Sequence, residues 1–258
     1  MKRTPKEMDS YWFSKISAFR DCPRRYLMEY GQNGKQGGGA TDATHYGSAV
    51  HEGIEEELRG GHGVKAFLAY WEALDQESIK WMRWNWEYLR DCGITHLEKF
   101  RKYHAKHIEP ILIEERLYGE AGYNKYEGTP DVYGDYKGKR TIIDFKTSGY
   151  AYPKDKVDSA IQLYSYSSLL EQNDYPLPEQ LVYMVFVKGT RSVQVLKKDL
   201  THLRVKSIMG NEADWIEQIQ EAEAKDRYPK NPQACYKGQY RCWLYEHCWG
   251  KKGKSNGK

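Results

Sequence analysis

Long apolar runs are missing from this chain of 258 residues. The stretch 181–187 holds seven, far short of the roughly eighteen that a membrane-spanning helix requires. The N-terminal MKRTPKEMDSYWFSK is charged and has no apolar segment, so no secretory leader is expected. Charge of one sign is absent as well: forty Lys and Arg face thirty-six Asp and Glu. The resulting +4 accommodates a nucleic-acid partner without demanding one. Only five cysteines occur. With no leader, an odd count reads as thiols or metal ligands in a reducing compartment rather than as disulfides. No internal repeat is evident. Twenty-two Tyr and eight Trp exclude a disordered chain and supply a core. The class implied is a cytoplasmic α/β protein.

Ser17–Cys22 reads as helical and leads into Pro23, well placed to open a second helix from Arg24 to Tyr30. Residues 31–44 are rich in Gly and polar residues and read as a loop. Val50, Ile54 and Leu58 recur every four residues, a helix ending at Gly60-Gly61 with His51 beside the stripe. Residues 64–108 carry Trp and other apolar residues at helical spacing, which assigns the Trp residues to packing rather than to base stacking. The period changes after Pro110. Ile111–Tyr118, Glu127–Tyr133 and Arg140–Lys146 read as strands, the last two joined by a polar turn containing Gly138. A helix from Asp158 to Gln172, a buried strand over 181–187, an edge strand over 192–196 and a helix from His202 to Ala224 follow. The tail 251–258 reads as disordered.

Pro130-Asp131, twelve residues, then Asp144-Phe145-Lys146 is the chemically informative pattern. On a strand, residues i and i+2 share a face, so Asp144 and Lys146 project together, and hairpin pairing brings Asp131 to the same place. Two carboxylates and a carbonyl make a hard-oxygen site for Mg²⁺ or Mn²⁺. A neighbouring lysine orients or deprotonates water and balances charge on a phosphate. The bland alternative is a turn and a surface ion pair. A charged pair ending an apolar strand is costly without a role, which favours function.

Gly47…His51, Gly128…Asp131, Asp144-Phe145-Lys146-Thr147 and Gln162…Tyr166, in that order, resemble the PD-(D/E)XK nuclease superfamily, in its RecB-type exonuclease branch. The resemblance runs from about Ser17 to Cys248. It implies a restriction-endonuclease-like core, a mixed β-sheet flanked by helices. It also implies that His51, Asp131, Asp144 and the Phe145 carbonyl hold Mg²⁺ or Mn²⁺ while Lys146 acts on the attacking water. Gln162 and Tyr166 would support the site and position DNA. An acidic residue upstream is also implied. Glu114 and Glu115 compete for it on opposite strand faces, with Glu114 favoured.

Cys235, Cys242 and Cys248 follow C-x6-C-x5-C, and Cys22 lies more than two hundred residues earlier. Thiolates suit iron–sulfur clusters or zinc. The arrangement is similar to the CRISPR-associated and AddB-type iron–sulfur nucleases and related phage enzymes. It implies a 4Fe–4S cluster on these four cysteines, stapling the C-terminal segment. The longer first gap leaves zinc open, on three cysteines with His247 or Cys22. Cys92 reads as a core thiol.

The expected organisation is a single nuclease domain over 1–250, with a helical lobe at 62–108, a sheet core at 109–200 and a cysteine-rich segment at 225–250. The expected activity is metal-dependent hydrolysis of DNA, as an exonuclease on single-stranded ends in repair, recombination or replication, in a prokaryotic or phage-infected cell. A structure-specific endonuclease and a DNA-binding accessory subunit of a recombination or spacer-acquisition complex are the alternatives; an electron-transfer or redox-sensing role ranks below them. Arg20, Arg24, Arg25 and Lys188 are candidate phosphate contacts. Partner proteins, oligomeric state, cleavage polarity and preference for DNA over RNA stay open.

Overall fold

The computed structural model describes residues 10–31, 41–237 and 240–250. They divide into two compact units. One comprises Gly39–Gly119 and Glu127–Met209; the other draws on Met1–Gly38, Glu120–Tyr126 and Gly210–Lys258.

In chain order, helices α1 (Phe13–Asp21), α2 (Pro23–Tyr30), α3 (Asp42–Leu58), α4 (Gly63–Glu72) and α5 (Trp86–Tyr103) precede the strands. Then come β1 (Ile108–Ile113), β2 (Leu117–Ala121), β3 (Asn124–Gly128), β4 (Val132–Tyr136) and β5 (Lys139–Ser148). Helix α6 (Ile161–Gln172), strands β6 (Gln180–Val187) and β7 (Ser192–Asp199), and helix α7 (His202–Ala224) follow. Two short strands, β8 (Tyr236–Lys237) and β9 (Tyr240–Arg241), and helix α8 (Tyr245–Trp249) close the series. No helix among the described residues is long and apolar enough to cross a membrane.

The sheet has the order β1-β4-β5-β6-β7. Its β5–β6 pair is parallel and the remaining pairs are antiparallel. The β4–β5 hairpin turns through Lys137 (φ 54°) and Gly138 (φ 77°), the left-handed pair that matches strand twist in a two-residue turn. Parallel pairing of β5 with β6 needs a crossover, and α6 provides it. Strand β6 is buried along its whole length, as a continuous apolar run implies.

One sheet face packs on helices. Ile143 and Phe145 of β5 and Val182, Met184 and Phe186 of β6 join Val50 and Ile54 of α3, Phe67 and Trp71 of α4, and Leu89, Leu97 and Phe100 of α5 in one core. Gly93 lets α5 approach α4, since a Cβ there would lie 2.0 Å from the Phe67 ring. Helix α3 is capped by Thr41, whose hydroxyl accepts the Thr44 amide, and α5 by Asn85, which accepts that of Tyr88.

The structure corrects several expected boundaries. Residues 64–108 are not continuous helix: α4 stops at Glu72, a 3-10 turn follows at Gln76–Ser78, and Trp81 and Trp84 lie outside helix before the Asn85 cap. The expected strand 111–118 breaks at Glu114, whose φ of 52° is incompatible with extended chain. The expected strand 127–133 is interrupted before Asp131, where Pro130 can donate no ladder hydrogen bond. The helix expected from Asp158 begins at Ile161, behind a 3-10 turn at Lys154–Ser159. Helix α3 starts at Asp42, so the expected loop ends earlier, and its residues 32–40, with the tail 251–258, lie outside the described residues.

Candidate active site and cysteine cavity

The catalytic candidates converge around β5. Register Val132↔Ile143 in the β4–β5 hairpin carries Asp131 beside Asp144. The period of two puts Asp144 and Lys146 on the sheet face opposite Ile143 and Phe145. The Asp131 carboxylate is fixed by the Phe145 amide, which donates to Oδ2 at 2.6 Å. Helix α3 contributes His51. Its Nε2 donates to the Phe145 carbonyl at 3.0 Å, which leaves Nδ1 facing Glu114 at 3.5 Å and Asp131 at 3.9 Å. A carbonyl that fixes one ring nitrogen and aims the other at carboxylates is a common support for a metal-binding imidazole.

Glu114 reaches this place because it ends β1 in the left-handed region. Strand alternation therefore does not govern it, and its amide bonds the Asp131 carbonyl at 3.1 Å. Glu115 is exposed and belongs to no such group. One donor atom each from His51, Glu114 and Asp131 fall within 4.8 Å of one another. Asp144 lies beside this trio rather than in it, 1% exposed, with Lys146 Nζ at 2.7 Å from Oδ2. Its Oδ1 is buried and accepts no hydrogen bond. A buried carboxylate oxygen without a partner is costly, and a divalent cation among these four residues would satisfy it. The donor set of carboxylates and one imidazole fits the Mg²⁺ or Mn²⁺ expected from the sequence. The Phe145 carbonyl, expected on the metal, receives His51 in this arrangement.

Electrostatics follow from packing these charges together. Burial raises Asp131 to about 7, and the neighbouring Asp144 adds to the rise. Burial likewise raises Asp144, against the opposing pull of Lys146. For His51, burial works against the proton, but the hydrogen bond to Glu114 and the charge of Asp131 prevail and lift it to about 9. Lys146 is also raised: burial disfavours its charge, and Asp144 and Asp131 more than compensate. It is therefore an ammonium at neutral pH, a donor and positive charge rather than a ready base.

Helix α6 completes the wall. Lys146 donates to Gln162 Oε1 at 3.1 Å, and Gln162 Nε2 donates to the Tyr166 hydroxyl at 2.9 Å. These two residues stand four apart on one helix face. Gly128 has a steric purpose here, since a Cβ would lie 2.5 Å from the Tyr166 ring. Gly47 has none as strict: its Cβ would meet Thr147 at an ordinary 3.5 Å. Two neighbours were not singled out from the sequence. Tyr183 pairs with Asp144 across the parallel ladder and has Lys146 at 6.0 Å from its ring. Tyr152 stands edge-on to Tyr183 at 6.5 Å. Tyr183 hid in an apolar run, and a loop tyrosine carries no periodic signal.

The candidate phosphate contacts fare differently. Lys188 is 4% exposed, not a surface cation; its ammonium lies 5.2 Å from the rings of both Tyr46 and Trp84. Arg20 pairs with Glu212, and Arg25 with Glu29 and Asp21. Arg24 has a buried Nε without a hydrogen-bond partner.

In the other unit, Cys22, Cys235, Cys242 and Cys248 line a single cavity of about 290 Å³. Cys22 is the extended residue between α1 and α2, and its sulfur accepts the Asn231 amide at 3.4 Å. Trp249 Nε1 donates to Cys235 Sγ at 3.3 Å. Burial raises the Cys248 thiol, and proximity to Cys22 and Cys242 adds to this. His247 is not on the cavity wall. Four thiols around one void fit a sulfur-ligated group. Cys92 is buried beside His96 in the sheet-and-helix core.

Comparison with known proteins agrees with this geometry. A family model described as the PD-(D/E)XK nuclease superfamily matches residues 13–249. A Eubacterium rectale protein named "Putative exonuclease" has a crystal structure that aligns with a TM-score of 0.54 at 13% identity, covering 94% of each chain; at that identity the likeness speaks for the fold alone. The structure of SSO0001 aligns at a TM-score of 0.35 with 16% identity, over 84% of this chain and 78% of its own, and bears no weight. No curated protein matches the sequence. The match over nearly the full length, together with the Asp131, Asp144 and Lys146 geometry, leads to one assignment: the chain belongs to the PD-(D/E)XK nuclease superfamily.

Proposed function

We propose that the protein is a metal-dependent DNA nuclease, acting as an exonuclease on single-stranded ends in repair, recombination or replication. The observation that carries the reading is the buried Asp144 with an unpartnered oxygen, set between Lys146 and the His51–Glu114–Asp131 trio. His51, Glu114, Asp131 and Asp144 would hold the ion. Bound there, a divalent cation supplies Lewis-acid polarisation of a phosphodiester and an acidified water. Lys146 donates to the attacking water or to a phosphoryl oxygen and offsets the negative charge that grows as the P–O bond breaks. Gln162 holds the ammonium in register, and Tyr166 holds Gln162.

The test compares end-labelled linear single strands with a circular strand of the same sequence in Mg²⁺ or Mn²⁺. Linear DNA is expected to shorten from one end while the circle survives. Nicking of the circle would replace the exonuclease reading with an endonuclease. Binding without cleavage of any DNA would favour an accessory subunit.

We further propose that the four-cysteine cavity holds a 4Fe–4S cluster in a structural role. What supports this is the convergence of Cys22 with three cysteines from the far end of the chain on one void. Protein purified without oxygen is expected to contain iron, acid-labile sulfide and visible absorption. Cys242→Ala should lose all three and melt at a lower temperature. Stoichiometric zinc in place of iron would overturn the cluster.

A further inference from the structure

The segment between α4 and α5 carries an arrangement that the catalytic reading leaves unused. The rings of Trp84 and Tyr88 stack 6.0 Å apart with planes 7° from parallel. The Arg191 guanidinium lies 4.6 Å over the Tyr88 ring. At the other end, Arg83 lies 4.7 Å from the Trp84 ring and 4.9 Å from that of Tyr150, whose hydroxyl it also bonds. Cations and rings thus line up in the order Arg191, Tyr88, Trp84, Arg83 and Tyr150, a ladder that ends on a ring 65% exposed. Among the described residues, Arg83 and Arg191 enter no ion pair, whereas Lys188 is buried and is offset by the Asp42 carboxylate.

The ladder borders the catalytic strand. Gly149, directly after β5, brings the backbone against Trp84, 3.0 Å from where its Cβ would be. Ser148 at the end of β5 accepts the Lys188 amide at 2.8 Å. Tyr150 is four residues beyond Lys146, at most about 13 Å along an extended chain. The chain then turns back, since Tyr152 packs against Tyr183 beside Lys146.

One flat exposed ring, Tyr150, continued inward by the half-buried Trp84 and Tyr88 and flanked by Arg83 and Arg191, suits a ligand that is both planar and anionic at regular intervals, which describes a single strand of nucleic acid. An apolar protein segment would leave the cations unanswered, and a duplex hides its base faces. We propose that the exposed face of Tyr150, backed by Arg83 and Trp84, seats an unpaired base of the strand whose phosphodiester lies at the catalytic centre. The proposal rests on the nuclease reading and gives its substrate a stacked base next to the scissile position. It assigns Trp84 a role beyond the packing that its sequence context implied.

The test measures binding of a fluorescent oligodeoxythymidylate and of an abasic strand of equal length to the full chain in a Lys146→Ala background. Cleavage is assayed separately with Lys146 intact. Tyr150→Ala is expected to weaken the base-bearing strand about tenfold while leaving the abasic strand unchanged. Tyr150→Phe keeps the ring and should keep the affinity. With Lys146 intact, Tyr150→Ala should raise KM and spare kcat. Unchanged binding of the base-bearing strand, or equal weakening of both strands, overturns the seat, and thermal melting of each variant separates loss of fold from loss of contact. Cleavage by the wild type with no Tyr150 effect refutes the seat alone. A wild type that neither binds nor cleaves refutes the nuclease reading and the seat with it.

Discussion

Lys146→Ala is expected to lower the rate of metal-dependent DNA cleavage by about 10²–10³-fold or more, with substrate binding retained. The lysine is the one cation directed at the acidic cluster from within β5, 2.7 Å from Asp144. Its charge matters most when negative charge accumulates on the phosphoryl oxygens, so the loss belongs in kcat rather than KM. Lys146→Arg should not restore the rate, because a guanidinium is broader and is already committed by its fork geometry. Removing the ammonium also leaves Asp144 buried without its counterion, which costs about 3–5 kcal/mol if the carboxylate stays ionised. Asp144→Asn is the cleaner partner experiment. It keeps the volume, removes the repulsion with Asp131 and abolishes cleavage while holding or raising the melting temperature in metal-free buffer. Rates from single-turnover assays and melting curves from the same preparations decide the matter. A Lys146→Ala protein that is folded and fully active would remove the lysine from the chemistry.

The second large effect concerns pH and metal together. Asp131 has its pKa raised by burial and by Asp144 to about 7. The unfolded value is about 3.9, so between these limits the folded chain binds more protons than the unfolded one. The stability this group contributes is therefore present at low pH and lost as pH rises through about 7. His51 adds a second window of the same sign: its hydrogen bond to Glu114 and the charge of Asp131 outweigh burial and raise it to about 9. Metal-free protein should thus lose melting temperature across both windows. A divalent cation reverses the trend, because it replaces these protons and binds more tightly as they leave. At a metal concentration near 100 times Kd, the gain is about 2.7 kcal/mol, or roughly 5–10 °C for a chain of this size. Calorimetry with and without Mn²⁺ at several pH values reads it directly. Asp131→Asn should flatten the lower window and remove most of the metal increment. A metal increment independent of pH would show that these groups do not share the ion.

Part of this site could be read from spacing, because a strand period is a rigid ruler: Asp144 and Lys146 share a face by a period of two. His51, Gln162 and Tyr166 entered only through the family resemblance, and in the structure one hydrogen bond joins Lys146 to Gln162. The β4–β5 hairpin was legible from its polar turn and the β6 strand from its apolar run. Positions off the lattice were harder. Glu114 joins His51 only because it leaves the strand in a left-handed conformation, which strand alternation has no means of expressing. Lys188 looked like a surface cation because its type is seldom buried, yet the aromatic rings of Tyr46 and Trp84 receive it. Trp81 and Trp84 kept helical spacing by coincidence, while the Asp75 turn and the Asn85 cap ended one helix and began another.

The order of strands in the sheet has a bearing on synthesis. Asp131, Asp144 and Lys146 sit on a hairpin of neighbouring strands, a pairing that closes quickly because the loop is short. Strand β5 nevertheless remains an open edge until β6, residues 180–187, has been made and has crossed back over α6. A ribosome-bound chain halted before that point holds the acidic residues in rough register but lacks the partner strand that carries Tyr183. Such a fragment is an exposed strand edge, prone to pairing with other chains. Translation through β6 is thus the step at which a half-built acidic hairpin gains the strand that covers its β5 edge.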